Sequence, residues 1–223
     1  MNKSITFKQY RVIDLTIWSI FLVLSEGLTT VATTKWFVGV PFAVSTTLIF
    51  LCIGMIRWGA WSSVLAVVGG LTFVVASGAD AKRCIIYLVG NLFSLAALFL
   101  IRGVGKDRLR KSNWLLILYA LTTYLSVCIG RWIVSLIFEP ALNSIIAYIG
   151  IDVITLLFTA VALVVLSKVD GMVEDQHDYV LRQAREREAE QGGDSDMLSE
   201  ITSDPKYLDG VFEDDQSFGA DET

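Results

Sequence analysis

Histidine is almost absent from this chain. Its one copy, His177, lies in the polar C-terminal part. A catalytic or structural zinc site built on histidine therefore cannot be assembled within the apolar part. A Ser-His nucleophilic pair is excluded there for the same reason. The three cysteines, Cys52, Cys84 and Cys128, are odd in number and show no paired spacing. That excludes a disulfide framework or a thiolate metal site and leaves buried apolar thiols. No glycine loop ending in Lys-Ser/Thr is present, so the chain does not hydrolyse ATP by that route. Pro41 and Pro140 fall near the ends of apolar runs, where a proline opens or closes a helix at low cost. Strict apolar–polar alternation is missing as well, which excludes barrel strands. Two carboxylates and an arginine support acid–base chemistry in principle. The chain is nonetheless not read as an enzyme, and no cofactor, metal or nucleic-acid partner is expected.

What is there is apolar length. Of 223 residues 54% are hydrophobic, and the mean hydropathy is +0.59. Crossing a ~30 Å hydrocarbon core takes about 20 mainly apolar residues. Six runs approach that length, at 12–31, 38–56, 60–77, 84–101, 114–138 and 144–167. Lipid forces backbone polar groups to be satisfied within each segment, so helices are expected. The predicted fold is all-α, with six transmembrane helices in residues 1–168. A charged cytoplasmic helix follows in 169–191, read over 173–191, and then an acidic, disordered tail in 192–223. Short connections make sequential antiparallel packing the expected arrangement.

Basic residues set the orientation. Ten flank the runs on one side: Lys3, Lys8, Arg11, Arg57, Arg102, Lys106, Arg108, Arg110, Lys111 and Lys168. The other side has three, Lys35, Lys82 and Arg83. Both termini are thus expected in the cytoplasm, in a multi-pass protein of the cell membrane. The net charge of −5 conceals two halves: residues 1–168 carry +8 and residues 169–223 carry −13. The first half suits anionic lipid at the inner leaflet. The second suits a cytoplasmic protein partner. Asp170-Gly171-Met172-Val173-Glu174-Asp175-Gln176 recurs as Asp209-Gly210-Val211-Phe212-Glu213-Asp214-Asp215-Gln216, with one acid inserted.

Charges inside the runs are the chief functional signal. Each costs ~2.5–3.5 kcal/mol on insertion scales, so each needs a partner or a purpose. Arg131 lies roughly 10 Å from the end of its run, counting at 1.5 Å per residue. Asp152, Asn91, Glu26, Ser45-Thr46-Thr47 and Gly69-Gly70 fall in the same layer. Tyr87 shares a face with Asn91, and Tyr148 shares one with Asp152. Trp132, like Trp18, lies deeper than an interfacial anchor. The candidate ligand-binding residues are Glu26, Tyr87, Asn91, Arg131, Trp132, Tyr148 and Asp152. Arg131 would meet a carboxylate or phosphate bidentately, and Glu26 or Asp152 would accept from a ligand amine, hydroxyl or ring N–H. The competing account is a structural network in which Arg131 pairs with Glu26 or Asp152. Asp14 is expected to snorkel or to serve as a helix N-terminal acid.

Arg57-Trp58-Gly59 at a tight turn, Gly130-Arg131-Trp132, and Tyr87 with Asn91 sit within a six-span, short-looped frame. Over residues 10–168 that frame resembles the substrate-binding S components of energy-coupling-factor vitamin transporters. The resemblance implies a small-molecule ligand bound from the outer side, a transmembrane coupling subunit and two ATPases. That family commonly carries small residues four apart on its first span. Here the first run has Trp18, Phe21 and Leu22, and the small-residue ladder Ser62, Ala66, Gly70 is on the third. Another reading is a membrane scaffold of the cell envelope that recruits cytoplasmic partners through its tail.

Overall fold

A computed structural model describes residues 6–36, 44–138, 144–169 and 171–190. Among them the chain is helical throughout, without strands. It divides into two compact units, Tyr10–Gln176 and a smaller unit of Met1–Gln9 with His177–Thr223. In the smaller unit the rings of Phe7 and His177 meet edge to face at 5.5 Å. Gln183 there donates to the Tyr179 hydroxyl.

The larger unit is built from α1 (Phe7–Val31), α2 (Thr47–Trp58), α3 (Ser63–Ser77), α4 (Ala81–Leu92), α5 (Leu98–Val104), α6 (Lys106–Lys111), α7 (Asn113–Phe138), α8 (Ser144–Ile151) and α9 (Val153–Leu166). A final helix, α10, covers Gln176–Glu190. Four stretches are long and apolar enough to cross a membrane: Phe7–Trp36, Thr47–Ser77, Ala81–Val104 and Asn113–Phe138. Apolar side chains on their flanks point outward, among them Leu24, Leu28, Val75, Phe99 and Ile137. Water penalises such surfaces and hydrocarbon does not.

One of the four stretches is folded on itself. Gly59 adopts φ 56°, which glycine enters without strain, and a 3-10 turn over Gly59–Ser62 follows. A side chain added at Gly54 would strike Leu65 and Ser62, and one added at Gly69 would strike Thr47. Both ends of α2 therefore lie along α3, and Thr47–Ser77 is an antiparallel hairpin. Its legs of 12 and 15 residues measure roughly 18 and 22 Å. The ladder Ser62, Ala66, Gly70 is buried, with Gly70 lying against Tyr87 and Leu88 of α4.

The same alternation runs along the whole unit. Asp14 and Glu26 on α1 reach the end and the start of α2 respectively. Phe73 on α3 stacks on Tyr87 of α4 at 4.2 Å. Arg131 on α7 meets Asp152 just before α9, and Lys168 after α9 reaches Asn113 at the start of α7. Among the described residues, neighbouring helical legs of this unit thus pack antiparallel. The tightest crossing joins α4 and α7. A Cβ on Gly90 would lie 2.8 Å from Arg131 Cα, and one on Gly130 would lie 2.7 Å from the Gly90 carbonyl oxygen. Small residues let backbones approach where no water drives association.

Two expected helices differ in the structure. The sixth run is interrupted at Asp152 (φ −97°, ψ 7°), where the side chain is drawn sideways to Arg131. The charged helix begins at Gln176 rather than at 173. Residues 171–175 are instead held in a turn by ion pairs and a buried Val173.

Candidate functional site

The polar layer has two connected halves. The first begins with the N-terminus of α2, where unpaired amides and the helix dipole attract negative charge. Thr46 provides no side-chain cap to its own helix. Glu26, only 1% exposed, reaches across from α1 instead. Its Oε2 accepts from the amides of Thr46 (2.7 Å) and Thr47 (2.9 Å) and from the Thr46 hydroxyl (3.0 Å). The Ser45 hydroxyl lies 3.0 Å from both carboxylate oxygens. Glu26 is thus bound as anions are bound at helix N-termini generally. Ser45 also donates its amide to the Thr155 hydroxyl of α9 (3.0 Å).

The second half centres on Arg131, 6% exposed. Nη1 donates to Asp152 Oδ2 at 2.6 Å. Nε and Nη2 both donate to Asn91 Oδ1, at 3.2 and 2.9 Å. The guanidinium lies over the Tyr87 ring, 4.4 Å from its centre, where the ring quadrupole attracts a cation. The Gly90–Gly130 crossing sets this geometry, because it brings the α4 and α7 backbones close enough for Asn91 to reach Arg131. Asn91 donates in turn to the Ala66 carbonyl (3.4 Å). At the helix break the Ile149 carbonyl accepts from the Tyr124 hydroxyl at 2.5 Å.

Two small cavities separate the halves, of about 10 and about 20 Å³. Each has room for about one water. Arg131, Asp152, Asn91, Ser45 and Thr47 border both, and Glu26 and Tyr87 border the larger. Thr47 Oγ1 is buried without a hydrogen-bond partner among the described residues.

Of the seven expected site residues, Glu26, Tyr87, Asn91, Arg131 and Asp152 come together here. Arg131 pairs with Asp152; Glu26 is taken up by α2. Trp132 borders neither cavity, and its buried Nε1 has no hydrogen-bond partner among the described residues. The Tyr148 side chain lies outside the described residues, as do Pro41 and Pro140. Among the described residues no group of His, Cys, Asp and Glu side chains could hold a metal ion.

Sequence reasoning missed a second buried cluster, at the opposite end of α2. Arg57 clamps Asp14 in fork geometry, with Nε to Oδ2 at 3.2 Å and Nη2 to Oδ1 at 2.7 Å. Its Nη1 donates to the carbonyls of Gly171 (2.6 Å) and Met172 (3.2 Å). Trp58 is buried and donates Nε1 to Asp14 at 2.5 Å. The available signal was an acid and a base at the adjoining ends of neighbouring antiparallel runs.

Comparison with protein-family models, with curated proteins and with solved structures finds no match to this chain.

Proposed function

We propose that the chain is a membrane-embedded substrate-binding subunit with six spans and both termini in the cytoplasm. Its ligand is a small anionic molecule, of the size and polarity of a vitamin or its precursor, entering from the outer side. The observation that carries this reading is how Arg131 is held. It gives Asp152 a single end-on bond, although its planar fork suits a bidentate partner. It shares one amide oxygen between two donors, and it rests on an aromatic face beside a polar cavity. A carboxylate or phosphate can take the place of Asp152 at Nη1 and Nη2. Thr47 Oγ1 offers a further hydrogen-bonding atom beside the cavity.

Drug-sized ligands occupy roughly 300–1,000 Å³. Binding therefore requires α9 to move from α7 as the ion pair parts. Release inside would follow from a transmembrane coupling subunit and ATPases, as in the energy-coupling-factor class. The purified protein in nanodiscs, screened against vitamins and their precursors by calorimetry, is expected to bind one saturably. It should also co-purify with an ATPase module. Failure of both across the panel sinks the reading.

The saturated carboxylate of Glu26 and the small cavities favour a second reading, a scaffold whose polar layer fixes helix register while its acidic tail recruits a cytoplasmic protein. Deleting 192–223 separates the two. Lost function with ligand binding intact selects the scaffold, and unaltered uptake selects the transporter.

A further inference from the structure

Beyond α9 the chain turns back along the end of the larger unit. Gly171 makes the turn at φ 70°. Its carbonyl accepts from Arg57 and from Gln176 Nε2 (3.1 Å). Val173 is 1% exposed. Glu174 meets Arg110 Nη1 at 2.9 Å, and Asp175 is bonded to Lys106. Gln176, also 1% exposed, accepts from the Tyr10 hydroxyl at 2.9 Å.

Each contact reads a particular property: a glycine for the turn, two carbonyls for Arg57, an apolar side chain for the seat, and two successive acids for two cations. The contacts combine backbone capture with charge, and Arg57, Lys106 and Arg110 supply the donors. The same order of properties occurs once more, in Gly210-Val211-Phe212-Glu213-Asp214.

We propose that this three-cation surface is a peptide dock whose second ligand is residues 209–216 of the chain itself, in exchange with 171–176. Gly210 supplies the turn, Phe212 enters the seat of Val173, Glu213 meets Arg110 and Asp214 meets Lys106. Residues 177–208 provide enough chain for the second copy to reach a dock on its own or a neighbouring molecule. Phe212 is larger than Val173, and the inserted Asp215 moves Gln216 out of register with Tyr10. The second copy is therefore the weaker ligand, and it occupies the dock when the first is loosened.

Disulfide trapping in the full-length protein tests this, with Cys84 replaced by serine. Lys106→Cys with Asp214→Cys is oxidised mildly and the product read by mass spectrometry of the unreduced digest. Lys106→Cys with Asp175→Cys reports the intact dock. Asp221→Cys, an acid outside the repeat, reports chance encounter. Asp214→Cys is expected to cross-link at least tenfold faster than Asp221→Cys, and faster again when Glu174→Lys weakens the first copy. Equal rates at 214 and 221, or a rate at 214 unmoved by Glu174→Lys, overturn the proposal.

Discussion

Among the described residues two arginines are buried, and they are held differently. Arg57 grips Asp14 with both arms of its fork and gives its remaining nitrogen to two backbone carbonyls. Arg131 touches its acid once and relies on one amide oxygen and an aromatic face. Arg57 ties together three pieces of chain that are far apart in sequence. Arg131 lies beside open space. The Arg57–Asp14 fork is filled on both arms, whereas Arg131 holds its acid by one bond beside two small cavities. An arginine's role therefore follows from how its fork is filled more than from its depth.

The comparison can be broken experimentally. Asp14→Ala leaves Arg57 and the Trp58 indole without their shared acceptor, and should cost about 3 kcal/mol or more. Asp152→Ala leaves Arg131 with Asn91, Tyr87 and room for water, and should cost at least ~1 kcal/mol less. Thermal melts of the detergent-purified protein rank the two, and an equal or larger loss for Asp152→Ala would erase the distinction. Glu26→Gln comes next, at about 2 kcal/mol. It removes the negative charge that the α2 terminus binds and sets an NH₂ among hydrogen-bond donors. A melt unchanged in Glu26→Gln would mean that α2 does not depend on its borrowed cap.

Arg131→Lys keeps the charge and loses the planar fork. Affinity for an anionic ligand found in the vitamin panel should fall about tenfold, or ~1.4 kcal/mol, while the melting temperature barely moves. Arg57→Lys should do the reverse, lowering the melt and sparing affinity in the folded fraction. The smallest effect is expected from Tyr10→Phe. It removes one of several anchors on 171–176, worth about 1 kcal/mol or less, and should show as faster amide exchange confined to that segment.

Much of this was legible from composition and spacing. Apolar runs located the helices, and the depth count put Glu26, Asn91, Arg131 and Asp152 in one layer. Which acid served Arg131 was not legible. That depended on a helix start, at Thr47, whose amides compete for Glu26, and run lengths do not show where such a start falls. Nor did periodicity reveal that 171–175 would be pinned rather than helical. Their acids look like those of any solvated helix until Lys106 and Arg110 are seen opposite. Tyr87 and Asn91 were paired correctly by their i,i+4 spacing. Trp132 borders neither cavity because the residue beside Arg131 on a helix points some 100° away.

The spacing of these charges also bears on how the chain enters a membrane. Glu26 meets its first amide 20 residues later, and Arg131 meets Asp152 after 21. Each is about the length of a single span. Arg57 finds Asp14 43 residues back, already made. During synthesis from the N-terminus, none of these side chains waits more than one further segment for its first bonding partner. Each of these side chains can therefore leave the insertion machinery with a bonding partner on the adjoining leg.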